Sequence, residues 1–508
     1  MSILDSDATA LAEQIRTGKI SSVAATDTYI AQLKAINPHL NCLVEDRFAT
    51  ARQEAIRADE QLQREKNEQR RNGEGNGRLF GVPISVKESF DVAGMHTTGG
   101  IVARKDHVAE VDSDVVAKLK AEGAIILGKT NTPVLCFCQE SDNKLYGRTN
   151  NPWDVTKTAG GSSGGEGALI AAGGAAVGVG SDIGGSIRFP SHFNGVVGFK
   201  SGNAQVSQRG SFPFVDIALQ ARMLGIGAMA KSVRDARLIN EIIAEAPPTG
   251  EVRNSNALDL KAFDLKDFDL KAWDSFEVVI PRNSIRYPLD EVTRTLLAQV
   301  SNRLAADFSV RDEQPPLYEK AALLWQLIMS IDGAEQVAAT AFCDRPVRPI
   351  REFLREKVFK RSELHDYFTW AIIGARLFKP NAARLTDIEA TIQAGDEQLA
   401  HYFQNRLLIL PVYHTPAPAH GQVYKQIFSI RKTYLSYMPY AAYANVWGLP
   451  ALTVPVGTSS DGLPIAVQVV SSVGNEDAIF ELGERLEQEF RGYVRCQAVA
   501  ECEVHFPA

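Results

Sequence analysis

The sequence predicts an α/β domain, and three observations carry that reading. Short alternating or wholly apolar runs of strand length recur between residues 79 and 470, segments with helical period stand among them, and several runs break at glycine or a short polar loop. Composition agrees. Hydrophobic residues make up 45% and charged residues 23%, an ordinary globular mix that excludes collagen-like, disordered and disulfide-scaffold chains.

In chain order, Asp7 is placed to cap a first helix carrying Leu11 and Ile15 and stopped by Gly18; Ser22 is placed to cap a second, stopped by Asn37-Pro38. Residues 63–78 hold no hydrophobic side chain and read as a solvated surface segment, which closes an N-terminal unit of 1–78. Residues 79–87 (LFGVPISVK) set Ile84 and Val86 on one side and Ser85 and Lys87 on the other, a strand with Lys87 at its end. Residues 112–122 read as an amphipathic helix, followed by the strand AIIL and a loop at Gly128-Lys129-Thr130-Asn131. Residues 167–180 read as a buried helix leading into a buried strand; their 14 residues fall short of the ~20 that a membrane helix needs. Strands at 451–456 and 464–470 and a helix over 477–490 complete a domain spanning 79–490, with 491–508 as a tail. Within it, 247–440 changes texture. It opens on the short repeat LKAFD, LKDFD, LKAWD at Leu260, Leu265 and Leu270, then turns mostly helical and aromatic-rich, the expected wall of a substrate pocket.

Charge and cysteine usage narrow the functional classes. Lys and Arg number 54 against 61 Asp and Glu, a net charge of -7, so no electrostatic footprint for nucleic acid or anionic lipid is present. Six scattered cysteines form no disulfide framework and fit a reducing, cytoplasmic setting. The segment MSILDSDATALAEQIR lacks the pattern of a signal peptide, so neither export nor membrane association is expected.

The chemistry concentrates in 158–199, where two glycine-serine clusters flank the apolar segment. Gly161-Ser162-Ser163-Gly164-Gly165 fits the spacing of a nucleophile elbow but follows a polar turn instead of a strand. Glu166 stands where a phosphate loop needs lysine, and the third glycine of a dinucleotide fingerprint is missing. In Ser181-Asp182-Ile183-Gly184-Gly185-Ser186 a strand ends and two glycines let successive N–H groups converge beside a serine, as an oxyanion hole requires. That serine needs a base. None of the nine histidines stands in a partner motif, and His192 after Pro190 reads as structural; a desolvated lysine can serve, with Lys87 and Lys129 both candidates.

These residues resemble the amidase signature family, and GGSSGGEGALI with SDIGGSIRFPS is most similar to its fatty acid amide hydrolase branch. Phe80-Gly81-Val82-Pro83 through Lys87, Thr130-Asn131-Thr132-Pro133, YGRTNNPW at 146–153, Gly448-Leu449-Pro450 and Asp461-Gly462-Leu463-Pro464 support the likeness. The resemblance implies an α/β/α sandwich with a large mixed central sheet. It implies Ser186 as nucleophile, Ser162 as bridging serine after a cis peptide, and Lys87 as general base. The N–H groups of Ile183, Gly184, Gly185 and Ser186 would form the oxyanion hole, and Cys136, Phe137 and Cys138 would line the acyl pocket. Asp182 and Arg188 are expected to fix the nucleophile loop, and Ser163 either joins the relay or caps a helix. The expected reaction is hydrolysis of a small-molecule, non-peptide carboxylic amide to acid plus amine or ammonia through an acyl-enzyme. No metal or organic cofactor is expected, nor a nucleic-acid or membrane partner; a homodimer is the candidate assembly. Two alternatives are an A-subunit-like glutaminase component of a tRNA-dependent amidotransferase and a catalytically silent binding protein on the same fold. Intact Lys87, Ser162 and Ser186 argue against the second.

Overall fold

A computed structural model describes residues 2–67, 76–245, 276–284, 288–343, 345–429 and 435–497. Eleven strands make one mixed sheet: β1 (Leu43–Asp46), β2 (Pro83–Lys87), β3 (Ile125–Thr130), β6 (Val177–Asp182), β7 (Val197–Lys200), β8 (Gly225–Ala230), β9 (Glu277–Val279), β10 (Val310–Arg311), β11 (Arg406–Pro411), β12 (Ala451–Thr458) and β13 (Pro464–Val470). β4 (Asp142–Asn143) and β5 (Gly147–Arg148) form a separate ribbon. The order across the sheet is β1-β3-β2-β6-β8-β7-β12-β13-β11-β9-β10. β2 runs parallel to both β3 and β6, and antiparallel pairings join β6 through β8, β7, β12 and β13 to β11.

Helices cover both faces, and strand alternation shows it. On β7, Gly198 meets Ser191 of helix Arg188–Asn194, whereas the next residue, Phe199, packs at a tilt against Phe480 of helix Glu476–Glu489, ring centroids 4.7 Å apart. Burial on both sides explains why β8 and β13 read as nearly continuous apolar runs, and it leaves β2 without an exposed position although its residues alternate apolar and polar. Helices Tyr318–Ile328, Ala382–Tyr402 and Pro439–Val446 form an aromatic second core with Phe189 and Phe193. Helices Glu335–Phe342 and Asp366–Leu377 form a third with Val134, Leu135 and Cys138. Among the described residues, no helix is long and apolar enough to cross a membrane.

Three local readings change. Asp7 caps helix Ala8–Arg16 as expected, but Ser21 caps the next, accepting from Ala24 N at 3.0 Å. Ser22 is turned inward, donating to Gly81 O at 2.8 Å. Pro38 does not stop that helix, which runs from Ser22 to Leu40 and ends where Asn41 turns left-handed at φ 49°. Proline in a last turn forfeits only its own N–H bond, and the Asn37 side chain fastens the chain beyond it by accepting from Cys42 N and Leu43 N at 2.9 and 2.8 Å. The loop expected at residues 128–131 is strand as far as Thr130, because β1 pairs there with Glu45 opposite Lys129. The repeat at Leu260, Leu265 and Leu270 lies outside the described residues.

The first helix is tied down by Asp235 of helix Val233–Ile243. Its buried carboxylate accepts from Ala8 N at 2.6 Å, Thr9 N at 2.9 Å and Thr9 Oγ1 at 2.6 Å. Asp235→Ala leaves these donors without their acceptor and should lower stability by about 2 kcal/mol or more. Thermal unfolding of the purified variant checks this, and an unchanged Tm would contradict it.

Candidate active site

Lys87 is the last residue of β2 and is completely buried. Its Nζ donates to Ser162 Oγ at 2.7 Å and to Ser181 Oγ at 2.9 Å. Burial pushes its pKa below that of an ordinary lysine, against the opposing pull of Cys136, Asp182 and Glu166. Lys129 lies elsewhere. In the β2–β3 register Val86 pairs with Lys129 and Lys87 with Thr130, so the two lysines leave opposite faces of the sheet. Lys129 Nζ donates to His96 O, and to Thr97 Oγ1 at 2.8 Å, anchoring a loop. His192 is buried, with Nδ1 accepting from Ala466 N at 3.0 Å and Nε2 against Thr415 O at 3.1 Å; burial lowers it to about 4. It is a neutral packing residue.

Ser162 follows a cis Gly161–Ser162 peptide and precedes helix Gly164–Ala171. Ser141 braces this turn, donating to Ser162 O at 3.3 Å and accepting from Gly164 N at 3.0 Å. Ser163 makes no side-chain cap; its hydroxyl donates to Ser181 O at 3.4 Å and its N–H to Ser186 O at 3.1 Å, joining the two glycine-serine segments.

Ser186 sits between β6 and helix Arg188–Asn194, on a loop built around a fully buried ion pair. Arg188 places all five guanidinium N–H groups. Nε and Nη2 donate to the Asp182 carboxylate at 2.9 and 3.0 Å, Nη1 to Ala441 O and Gln468 Oε1 at 2.9 Å each, and Nη2 also to Asn445 Oδ1 at 2.5 Å. Burial would raise Asp182, but the charge and hydrogen bonds of Arg188 hold it well below the usual carboxylate range. The same carboxylate accepts from Gly185 N at 2.7 Å and Ile187 N at 3.1 Å. Gly185 has φ +96°, and a Cβ there would lie 2.3 Å from the Phe189 ring, so the turn requires glycine.

One detail departs from expectation. The Gly185 N–H is drawn inward to Asp182 and is therefore not presented to a ligand. The amides of Ile183, Gly184 and Ser186 have no protein acceptor among the described residues, and those three residues line the adjoining cavity.

That cavity, about 210 Å³, also admits Ser162 and Ser181 at its floor and Cys136, Phe137 and Cys138 on one wall. Phe212, Phe214, Trp325, Met329 and Trp370 make the lining mainly apolar, with Gln139, Gln220, Gln326 and Gln336 among its neutral polar members. Leu135 and Cys136 take left-handed backbone at φ 49° and 61°, turning the wall segment into the cavity. Sequence reasoning missed four neighbours: Ser181, Ser141, Trp325 and Asn445. Ser181 is two residues beyond Val179 in the same strand and so was within reach of alternation. Trp325 Nε1 donates to Ile183 O at 2.7 Å across a separation of 142 residues, a contact with no local signal.

Truncating Arg188 to Met should cost about 3–5 kcal/mol, because the Asp182 charge stays buried without its partner. The check is soluble yield and thermal unfolding beside wild type; wild-type stability would contradict the role given to this pair.

The family model described as Amidase matches residues 24–480. Fatty-acid amide hydrolase 2-B of Danio rerio is 34% identical, covering 97% of this chain and 91% of its own, and fatty-acid amide hydrolase 2 of Homo sapiens is 31% identical, covering 95% and 89%. A solved 6-aminohexanoate cyclic dimer hydrolase complexed with substrate superposes with a TM-score of 0.78 at 24% identity, covering 98% of this chain and 99% of its own, which shows the shared fold. The chain belongs to the amidase family and is a hydrolase of amide C–N bonds.

Proposed function

We propose that Ser186, Ser162 and Lys87 form a proton relay that hydrolyses amides of apolar, uncharged carboxylic acids through an acyl-enzyme on Ser186. The observation that carries this is the 2.7 Å hydrogen bond from buried Lys87 Nζ to Ser162 Oγ at the floor of a cavity that Ser186 also lines. Neutral Lys87 takes the Ser162 proton as Ser162 takes that of Ser186, and Ser186 Oγ attacks the carbonyl. The carbonyl oxygen gains negative charge, which the Ile183, Gly184 and Ser186 amides stabilise. Collapse of the intermediate breaks the C–N bond, and the relay returns a proton to the leaving amine. Water, deprotonated through the same relay, then releases the acid.

The cavity argues for the substrate class. Among the described lining residues Asp332 is the one Asp, Glu, Lys, Arg or His, and its carboxylate caps a helix, accepting from Ala334 N at 2.9 Å and Gln336 N at 3.2 Å. A charged acyl group would lose hydration and gain only neutral polar partners, with no free opposite charge in return. The volume lies below the ~300–1,000 Å³ of drug-sized ligand pockets, which suits an aryl or medium-length alkyl acyl group. The names of the fatty-acid amide hydrolase relatives point to apolar acyl groups as well.

Assays of the purified chain on aryl, medium and long alkyl amides, on acyl groups ending in carboxylate or ammonium, and on L-glutamine test this. Uncharged substrates should lead in kcat/KM by at least about tenfold, since burying an unpaired charge costs well over 1.4 kcal/mol. Preferential turnover of glutamine or of charged acyl groups would overturn the substrate class.

A lysine base also fixes the pH response. Only the free amine accepts a proton, so kcat/KM should climb from pH 6 to beyond 8. Lys87→Ala should remove that ascending limb and lower activity by about 10²–10⁴-fold, while Lys129→Ala keeps the limb. A flat wild-type profile, or loss of the limb in folded Lys129→Ala, would contradict the assignment.

A further inference from the structure

Glu166 is a fully buried carboxyl that the relay above does not use. It lies in the first turn of helix Gly164–Ala171, and it reaches under the sheet residues that carry Lys87. Its Oε1 accepts from Ser85 Oγ, and its Oε2 accepts from Thr130 Oγ1 at 2.7 Å. Ser85 precedes Lys87 by two positions on the same face of β2, about 6–7 Å along the strand, and Thr130 is the residue paired with Lys87 on β3. The carboxyl therefore bridges the two strands directly beneath the lysine. Close approach is built in at Gly178 of β6, where a Cβ would fall 1.6 Å from Glu166 Oε1.

The charged and titratable groups around the two side chains are few. Lys87 feels Cys136 from the cavity wall, Asp182 from β6 and Glu166 from the helix. Asp182 is already bound by Arg188. Glu166 has Lys87 as its neighbouring cation, and Cys42, the other titratable group near it, is buried and held as a neutral thiol.

We propose that Glu166 is a positioning residue acting through Lys87: its carboxyl, held beneath the lysine by Ser85 and Thr130, sets by its own charge state the pH at which the lysine becomes a free amine. Two arrangements hold the same number of protons, ammonium with carboxylate and amine with carboxylic acid. In a dry site the second carries no separated charge, so a proton held by Glu166 leaves Lys87 competent as a base. Burial raises Glu166 to about 7, against the Ser85 and Thr130 hydrogen bonds and the lysine charge, which places its titration in the range where the exchange matters.

The inference rests on Lys87 being the base, and the test separates the two. The ascending limb of kcat/KM is measured for wild type, Glu166→Gln, Glu166→Asp and Ser85→Ala on one uncharged anilide. Glu166→Gln removes the charge that favours the ammonium, so its limb should move to lower pH by about one unit. Ser85→Ala takes a donor from the carboxylate and should shift the limb the same way by less, whereas Glu166→Asp should keep it near wild type. A merely structural role would lower the plateau or the stability without moving the limb. An unmoved limb in folded Glu166→Gln, with Lys87→Ala still abolishing it, overturns the coupling and leaves the base assignment standing. Should Glu166→Gln fail to fold, an unmoved limb in Ser85→Ala overturns it equally. A wild type without an ascending limb removes the base assignment and the coupling together.

Discussion

The buried ion pair of Asp182 and Arg188 is the constraint on which the site depends. It joins the end of β6 to the helix after Ser186, and through Asn445, Ala441 and Gln468 it binds that loop to helix Pro439–Val446 and to β13. Every guanidinium proton has an acceptor and the carboxylate accepts backbone amides as well, so the desolvation of both ions is compensated by hydrogen bonds as well as by mutual attraction. Its geometric effect is to draw the Gly185 amide inward. The loop is thereby fixed with Ile183, Gly184 and Ser186 facing the cavity.

The second constraint is dryness. A lysine in water is a poor base at neutral pH, and the fold answers by placing Lys87 at the end of a fully buried strand, between parallel neighbours and beneath a helix. Two serine hydroxyls, Ser162 and Ser181, then fix the direction of its Nζ. Helices from 318–446 close the other side, and Trp325 bonds directly to the nucleophile loop at Ile183 O. Stability and the candidate chemistry thus use the same feature, a polar cluster sealed inside an apolar layer.

Much of the architecture was legible because strand and helix periods are local. β2, β6, β12 and β13 fall where alternation and apolar runs put them, and Asp7 caps the helix its position announces. What could not be read depends on partners distant in the chain. β3 extends to Thr130 because β1 and β2 pair with it there from either side. Strand period alone left Lys87 and Lys129 both open as bases and the family resemblance pointed to Lys87; the register adds that the two leave opposite faces, Lys87 toward Ser162. Motif wording drew Ser162, Ser186 and Lys87 together; the two serines line one cavity, and Lys87 lies buried behind it, hydrogen-bonded to Ser162. The wording could not show that Asp182 would claim one of the four amides beside Ser186, since that follows from the fold of the turn itself.

Site-resolved labelling addresses the central claim most directly. The chain would be treated with a fluorophosphonate, digested, and its modified peptide located by mass spectrometry. The account requires a single adduct on Ser186, absent from Ser186→Ala and formed far more slowly in Ser162→Ala. Stoichiometric labelling of Ser162, Ser163 or Ser181, or labelling of Ser186→Ala at the wild-type rate, would contradict it.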